Sequence, residues 1–148
     1  MPRRIRLTFI DEQISVEAEL LEDQAPKTCQ AIWAGLPREG EGQHAIYSGS
    51  EIAFFMDHDL IVEPENQTSR VLPGDVGYYH LPPGLMYEWP GGINEICWFY
   101  GADGRPNMPD GPVKINLFAK IVGDASDFYA VCYRIRREGV KRVGVERG

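Results

Sequence analysis

At 148 residues, with 43% hydrophobic and 25% charged positions, the chain has the size and composition of one soluble globular domain, residues 1–148. No run approaches the roughly 18 apolar residues of a membrane span, and the net charge of −7 argues against a nucleic-acid partner. Cys29, Cys97 and Cys132 are odd in number and lack CxxC spacing, which argues against a disulfide framework or a zinc site and for buried thiols.

The start, "MPRRIRLTFIDEQ", alternates apolar and charged residues and meets acids at once. That is a strand and not a signal peptide, so a cytoplasmic location is the default. Ile5, Leu7 and Phe9 share one face; "QISVEAEL" puts Ile14, Val16, Ala18 and Leu20 on one face of a second strand. The short "DEQ" between them predicts a hairpin. In "EDQAPKTCQAIWAGLP", Pro26 suits a first helical turn, Ala25, Cys29, Ile32, Trp33 and Leu36 share a face, and Pro37 ends the pattern. "REGEGQ" reads as a loop. "HAIYSGSEIAFFMD" reads as a strand broken at Ser48–Gly49–Ser50, and "HDLIVEPENQTSRVL" as an excursion with room for a short strand.

"PGDVGYYHL" enters a strand from a turn and "PPG" leaves it. "LMYEW" reads as a strand or arm, "INEICWFYG" as a strand, "ADGRPNMPDGP" as a loop and "VKINLFAKIVG" as a strand apolar on both faces. "DASDFYAVCYRIRREG" is a helix with Asp124 or Ser126 as its cap, a stripe of Phe128, Val131, Cys132 and Ile135, and Gly139 as its stop. "VKRVGVER" is a last strand. Eight or nine strands with two helices predict a mainly β fold, a closed barrel with a helix at each end.

Charge is uneven along this order. Residues 1–6 carry +3 and residues 134–148 a net +4, which leaves −14 for the middle. Cross-strand pairing with Glu12, Glu17, Glu19 and Glu22 accounts for a basic flank without invoking a phosphate site.

Little in the chain has the spacing of catalytic chemistry. His44, His58 and His80 show neither HxH nor HExxH, and "MDHDLIVEPE" reads as a solvated acidic loop, so no metal and no cofactor are expected. Glu88, in "MYEWP", is the acid to note: burial among its apolar neighbours would raise its pKa, while a surface carboxylate at a strand end is the commoner outcome. The aromatics are the stronger signal. Tyr78 and His80 share one strand face, and Tyr79 and Leu81 the other; Ile96, Trp98 and Tyr100 oppose Cys97 and Phe99. Strands apolar on both faces leave more surface than two helices cover, which predicts a groove or a homo-oligomer interface.

"APKTCQAIWAGLP" after a hairpin, and "VKINLFAKIVGDASDFYAVCYRIRREGVKRVGVER" as strand, helix and strand, resemble the first helix and the ending of cyclophilins. "PGDVGYYHLPPG" with "ICWFYG" is similar to the small bacterial and archaeal cyclophilin-like proteins of uncharacterised function. The resemblance spans residues 3–146 and implies a cyclophilin-like closed β-barrel with two capping helices. It departs at the catalytic arginine, because Ala53, Phe54 and Phe55 stand where that cation falls. Without it the electrostatic part of prolyl isomerisation is lost. A weaker likeness is to the cupin barrel, whose second motif "PGDVGYYHLPPG" mimics with Tyr87 in place of the metal-binding histidine.

The expectation is therefore a binding protein for a small-molecule or peptide-like ligand, non-catalytic, in a groove lined by Phe54, Tyr79, His80, Trp89, Trp98 and Phe99, with His80 as polar contact. The alternatives are a peptidyl-prolyl isomerase with a non-standard site, a cupin-like small-molecule barrel, or an aromatic oligomer interface.

Overall fold

The computed structural model describes residues 2–148. Strands β1 (Arg4–Phe9) and β2 (Ile14–Leu20) form the expected hairpin, with Ile5, Leu7, Phe9, Val16, Ala18 and Leu20 turned inward. Helix α1 (Pro26–Ala34) follows, then β3 (Arg38–His44), β4 (Glu51–Phe55), the short β5 (Gln67–Thr68), β6 (Asp75–Leu81) and β7 (Ile93–Phe99). A small pair, β8 (Asn107–Met108) and β9 (Gly111–Pro112), precedes β10 (Ile115–Val122), helix α2 (Ser126–Glu138) and β11 (Lys141–Arg147).

The main sheet runs β2-β1-β11-β3-β4-β7-β6-β10, and β10 pairs back onto β2, so eight antiparallel strands close into a barrel. Closure removes the sheet edges that an open β protein must protect. β5 adds a two-residue strip beside β10. A bulge at Phe118 shifts the β10–β6 register, and Phe118 and Ala119 both join the interior core.

"REGEGQ" is strand β3, not a loop. Barrel closure pairs it with β11 on one side and β4 on the other. Its glycines, which read as breakers, make room for large neighbours: a Cβ on Gly42 would stand 2.7 Å from Val143 Cγ2. The predicted strand or arm "LMYEW" is a loop over 82–92. There Glu88 is exposed and Tyr87 is 95% exposed, so Glu88 is the surface carboxylate and not the buried acid.

The helices seal opposite ends. The α2 stripe of Phe128, Val131, Cys132 and Ile135 is buried, and Phe128 packs on Phe9 (4.8 Å between ring centres) and Trp98 (5.8 Å). Asp124 accepts the Ser126 N–H at 3.0 Å at its start. At the other end Cys29 and Ile32 of α1 join the core, and the Cys29 thiol donates to the Phe118 carbonyl at 3.3 Å. Trp33 is half-buried between the Arg3 and Arg147 guanidiniums, 4.5 and 5.3 Å from its ring. All three cysteines are buried and free. Among the described residues no helix is long and apolar enough to cross a membrane.

On the outer face of β4, β7 and β6 lies a second apolar layer. Cys97, Phe99, Ile115 and Val71 form one cluster there, and Leu81, Ile93 and Met108, with Phe55 and Trp89, another. Loops 45–50, 82–92 and 101–114 close over this face, so the apolar surplus seen in the sequence is covered largely from within the chain.

Candidate functional site

The site grows from the β4–β7 register. Ala53 stands opposite Cys97, Phe55 opposite Glu95 and Glu51 opposite Phe99. Period-two alternation puts Glu51, Ala53 and Phe55 on the same outer face as Glu95, Cys97 and Phe99. Two glutamates therefore flank a floor of two small residues, Ala53 and Cys97. The neighbouring strand sets Tyr79 opposite Glu95.

Loops wall the floor in. Ser48 ties two of them together: its hydroxyl donates to the Asn107 carbonyl (3.1 Å) and accepts the Asn107 N–H (3.0 Å), while its carbonyl takes the Arg105 N–H (2.9 Å). Gly49 beside it has φ 69°, and a Cβ there would lie 2.6 Å from the Asp103 carbonyl oxygen. Only glycine fits that crossing. From the 82–92 loop, Trp89 stacks on Phe55 with ring centres 6.0 Å apart and planes 29° apart. That loop is braced by the Gly84 N–H donating to the Pro90 carbonyl at 3.0 Å. The enclosed slot has a volume of about 60 Å³.

Its electrostatics are unusual for a protein this acidic. Glu51 is 6% exposed and Glu95 8%. No lysine or arginine is among the described residues lining the slot. Burial drives the Glu51 carboxyl up to about 7, although the Cys97 thiol and Ser48 hydroxyl beside it pull in the other direction. Burial raises Glu95 well above the ordinary carboxylate range, and the Glu51 charge raises it further. Burial and the two carboxylates push the Cys97 thiol up as well, so Cys97 is no nucleophile at neutral pH. Glu95 Oε2 and Trp89 Nε1 are buried without a hydrogen-bond partner in the protein.

His44 also lines the slot, but both its nitrogens are engaged, Nδ1 with the Ala45 carbonyl at 2.9 Å and Nε2 with the Tyr100 hydroxyl at 2.5 Å. Burial lowers its pKa. It is a wall and not a free base.

The six residues expected to line one groove fall in four places. Phe54 and Trp98 point into the barrel core, where Trp98 Nε1 donates to Cys132 Sγ at 3.4 Å. Phe99 lies in the outer apolar layer, and Trp89 at the glutamate slot. Tyr79 and His80 line a separate pocket of about 240 Å³ with Tyr78 and Asn116, where His80 meets His58 edge to face at 5.6 Å. They share no single surface, because alternation sends Phe54 and Trp98 to the opposite side of the wall from Phe99. Among the described residues no group of three or more His, Cys, Asp or Glu is arranged to hold a metal ion.

Glu51 and Glu95 escaped the sequence reading. Their signal was there: "SEIAFF" and "INEICWF" each set one carboxylate among apolar residues on a strand apolar on both faces. Bringing the two together needs the β4–β7 register, which joins positions 44 residues apart in the chain.

Comparison with known proteins agrees on the fold. McbB, solved in complex with tryptophan, matches with a TM-score of 0.69 at 15% identity over 97% of this chain and 44% of McbB, so the chain spans less than half of that protein's length. The solution structure of the hypothetical protein AF2241 from Archaeoglobus fulgidus matches with a TM-score of 0.60 at 25% identity, over 99% of this chain and 95% of that one. No curated protein matches the chain. The sequence profile described as "Protein of unknown function (DUF3830)" matches residues 7–146, and the chain belongs to that family.

Proposed function

We propose that this protein is a small-molecule-binding barrel whose ligand enters the slot on the outer face of β4 and β7. One observation carries the reading: two buried glutamates line a cavity that holds no counter-ion, and one of their oxygens, Glu95 Oε2, and the Trp89 indole N–H are buried there without a partner. A buried charge without a partner is costly, and such groups cluster where a ligand completes them. This keeps the binding role expected from the sequence and moves its centre from the aromatic strands to Glu51, Glu95 and Trp89. The cyclophilin-like ancestry is part of the same proposal, as a groove binder rather than an isomerase, because no cation lines the slot to polarise a prolyl amide. McbB, a barrel of this fold, is known with tryptophan bound, which makes small aromatic compounds the natural first probes.

Thermal shift against a metabolite panel tests it. A ligand of the folded state raises the melting temperature by mass action. Ala53→Met, which fills the slot floor, is expected to abolish that shift while the barrel stays folded. A panel with no shift for the unsubstituted protein, or shifts that Ala53→Met leaves intact, counts against the slot.

A further inference from the structure

The slot is an acidic cavity without a cation of its own. Glu51 and Glu95 flank its floor, each more than nine-tenths buried, and Glu95 Oε2 has no partner. The titratable groups facing the pair are His44 from the end of β3, Tyr47 from loop 45–50, Tyr79 from β6 opposite Glu95, and Cys97 between them on β7. The loops add Ser48, Asn107, Met108 and Trp89, none of which carries charge. Nothing here neutralises a carboxylate, so in the free protein a proton must.

We propose that the occupant is a small organic ammonium ion, a primary amine on a flat apolar group, whose –NH3⁺ head replaces the proton held by Glu51 and Glu95. The inference rests on the slot being a binding site. An ammonium has three N–H donors and no acceptor, which matches an acceptor pair with an unpaired oxygen. A neutral ligand leaves the carboxyl proton in place, and an anion is repelled. The volume of about 60 Å³ is that of roughly two waters, so a head of two or three heavy atoms enters. The apolar remainder lies against Phe55 and Trp89, both half-exposed. A divalent metal is the poorer fit, since no third protein ligand is arranged beside the pair among the described residues. On binding, a carboxyl O–H bond breaks, its proton leaves to the buffer, and the carboxylate accepts an ammonium N–H. No electrons change hands.

The test is calorimetric titration of the full chain with benzylamine, benzyl alcohol, phenylacetate and magnesium chloride at pH 7, in phosphate and in HEPES, whose ionisation enthalpies differ. Benzylamine alone is expected to bind, with up to one proton released. Its affinity rises by up to about tenfold per pH unit between pH 6 and 8. Glu95→Gln, and separately Glu51→Gln, weaken it at least about tenfold and remove the proton release. The two variants keep the side-chain shape, and either one that stays folded suffices. Equal binding of benzyl alcohol or phenylacetate, preferred binding of magnesium, benzylamine binding without proton release, or no effect of the variants overturns the proposal. If benzylamine fails while another compound binds in an Ala53→Met-sensitive way, the ammonium identity falls and the binding site stands. If nothing of any class binds, both fall.

Discussion

The flank of β1, β2 and β11 and the outer wall of β4 and β7 handle glutamate in opposite ways. On the flank every acid has a cation: Arg4 reaches Glu17 (3.3 Å) and Glu19 (3.2 Å), Arg3 holds Glu22 (2.6 Å) and Arg142 holds Asp11 (2.9 Å). Hydrogen bonds from Arg3 and Arg142 keep the Glu22 and Asp11 carboxyls below the ordinary range. On the wall, Glu51 and Glu95 have no cation and burial pushes them up. Arg3, Arg4, Arg6, Lys141 and Arg142 of the basic ends are thus absorbed by pairing with acids of the neighbouring strands and turns. The difference teaches that a conspicuous charge pattern can be purely structural, while two inconspicuous glutamates among apolar residues are the ones left without a cation.

The largest effect separating the regions is on stability against pH. A carboxyl whose folded pKa is raised costs nothing below its unfolded value, 4.5, and its full penalty above its folded one, about 7. For Glu51 that difference corresponds to about 3 kcal/mol, and Glu95 acts in the same direction. Urea unfolding is expected to show the protein weaker at pH 8 than at pH 5 by about that amount, and Glu51→Gln to flatten the slope and exceed the unsubstituted protein at pH 8. Parallel pH profiles for the two proteins would break the comparison. The flank acids act with the opposite sign and only as pH falls below about 4, where their pairing is lost.

A smaller effect tests the wall's scaffold. Gly49→Ala forces a side chain against the Asp103 carbonyl at φ 69° and is expected to cost about 2 kcal/mol. Because Ser48 anchors loop 45–50 to Asn107, the same substitution should loosen the slot and weaken any ligand's thermal shift. Unchanged melting would show that loop to be free of strain.

The smallest effect is on the flank. Glu17→Gln removes a carboxylate shared by Arg4 and Arg6, yet is expected to change stability by less than about 1 kcal/mol, and by less still in high salt. Denaturant midpoints with and without added sodium chloride measure it. A loss as large as the gain from Glu51→Gln at pH 8 would make the two regions energetically alike.

Much of the fold was legible because its signals are local. Alternation in "RIRLTFI", the stripe of α2 and the entry proline of α1 each report a face turned to the core. β3 was hidden because a strand lying between two partners needs little intrinsic propensity, and its glycines answer to Val143 and Phe54 rather than to a turn. The site was hidden for a related reason. Aromatic residues advertise themselves one by one, whereas Glu51 and Glu95 matter only as a pair, and the pair exists only after closure.

The placement of β11 between β1 and β3 also governs the order of events in synthesis. β1 forms its hairpin with β2 at once, but its other edge waits for Val143 and Val145, more than 130 residues further along the chain. β3 waits for the same strand. Until the ribosome has released β11, the nascent chain carries two unpaired edges, each a template for association with another chain. Bringing such distant segments together is also entropically slow. The seam that leaves the finished barrel without an edge closes only once β11 is available.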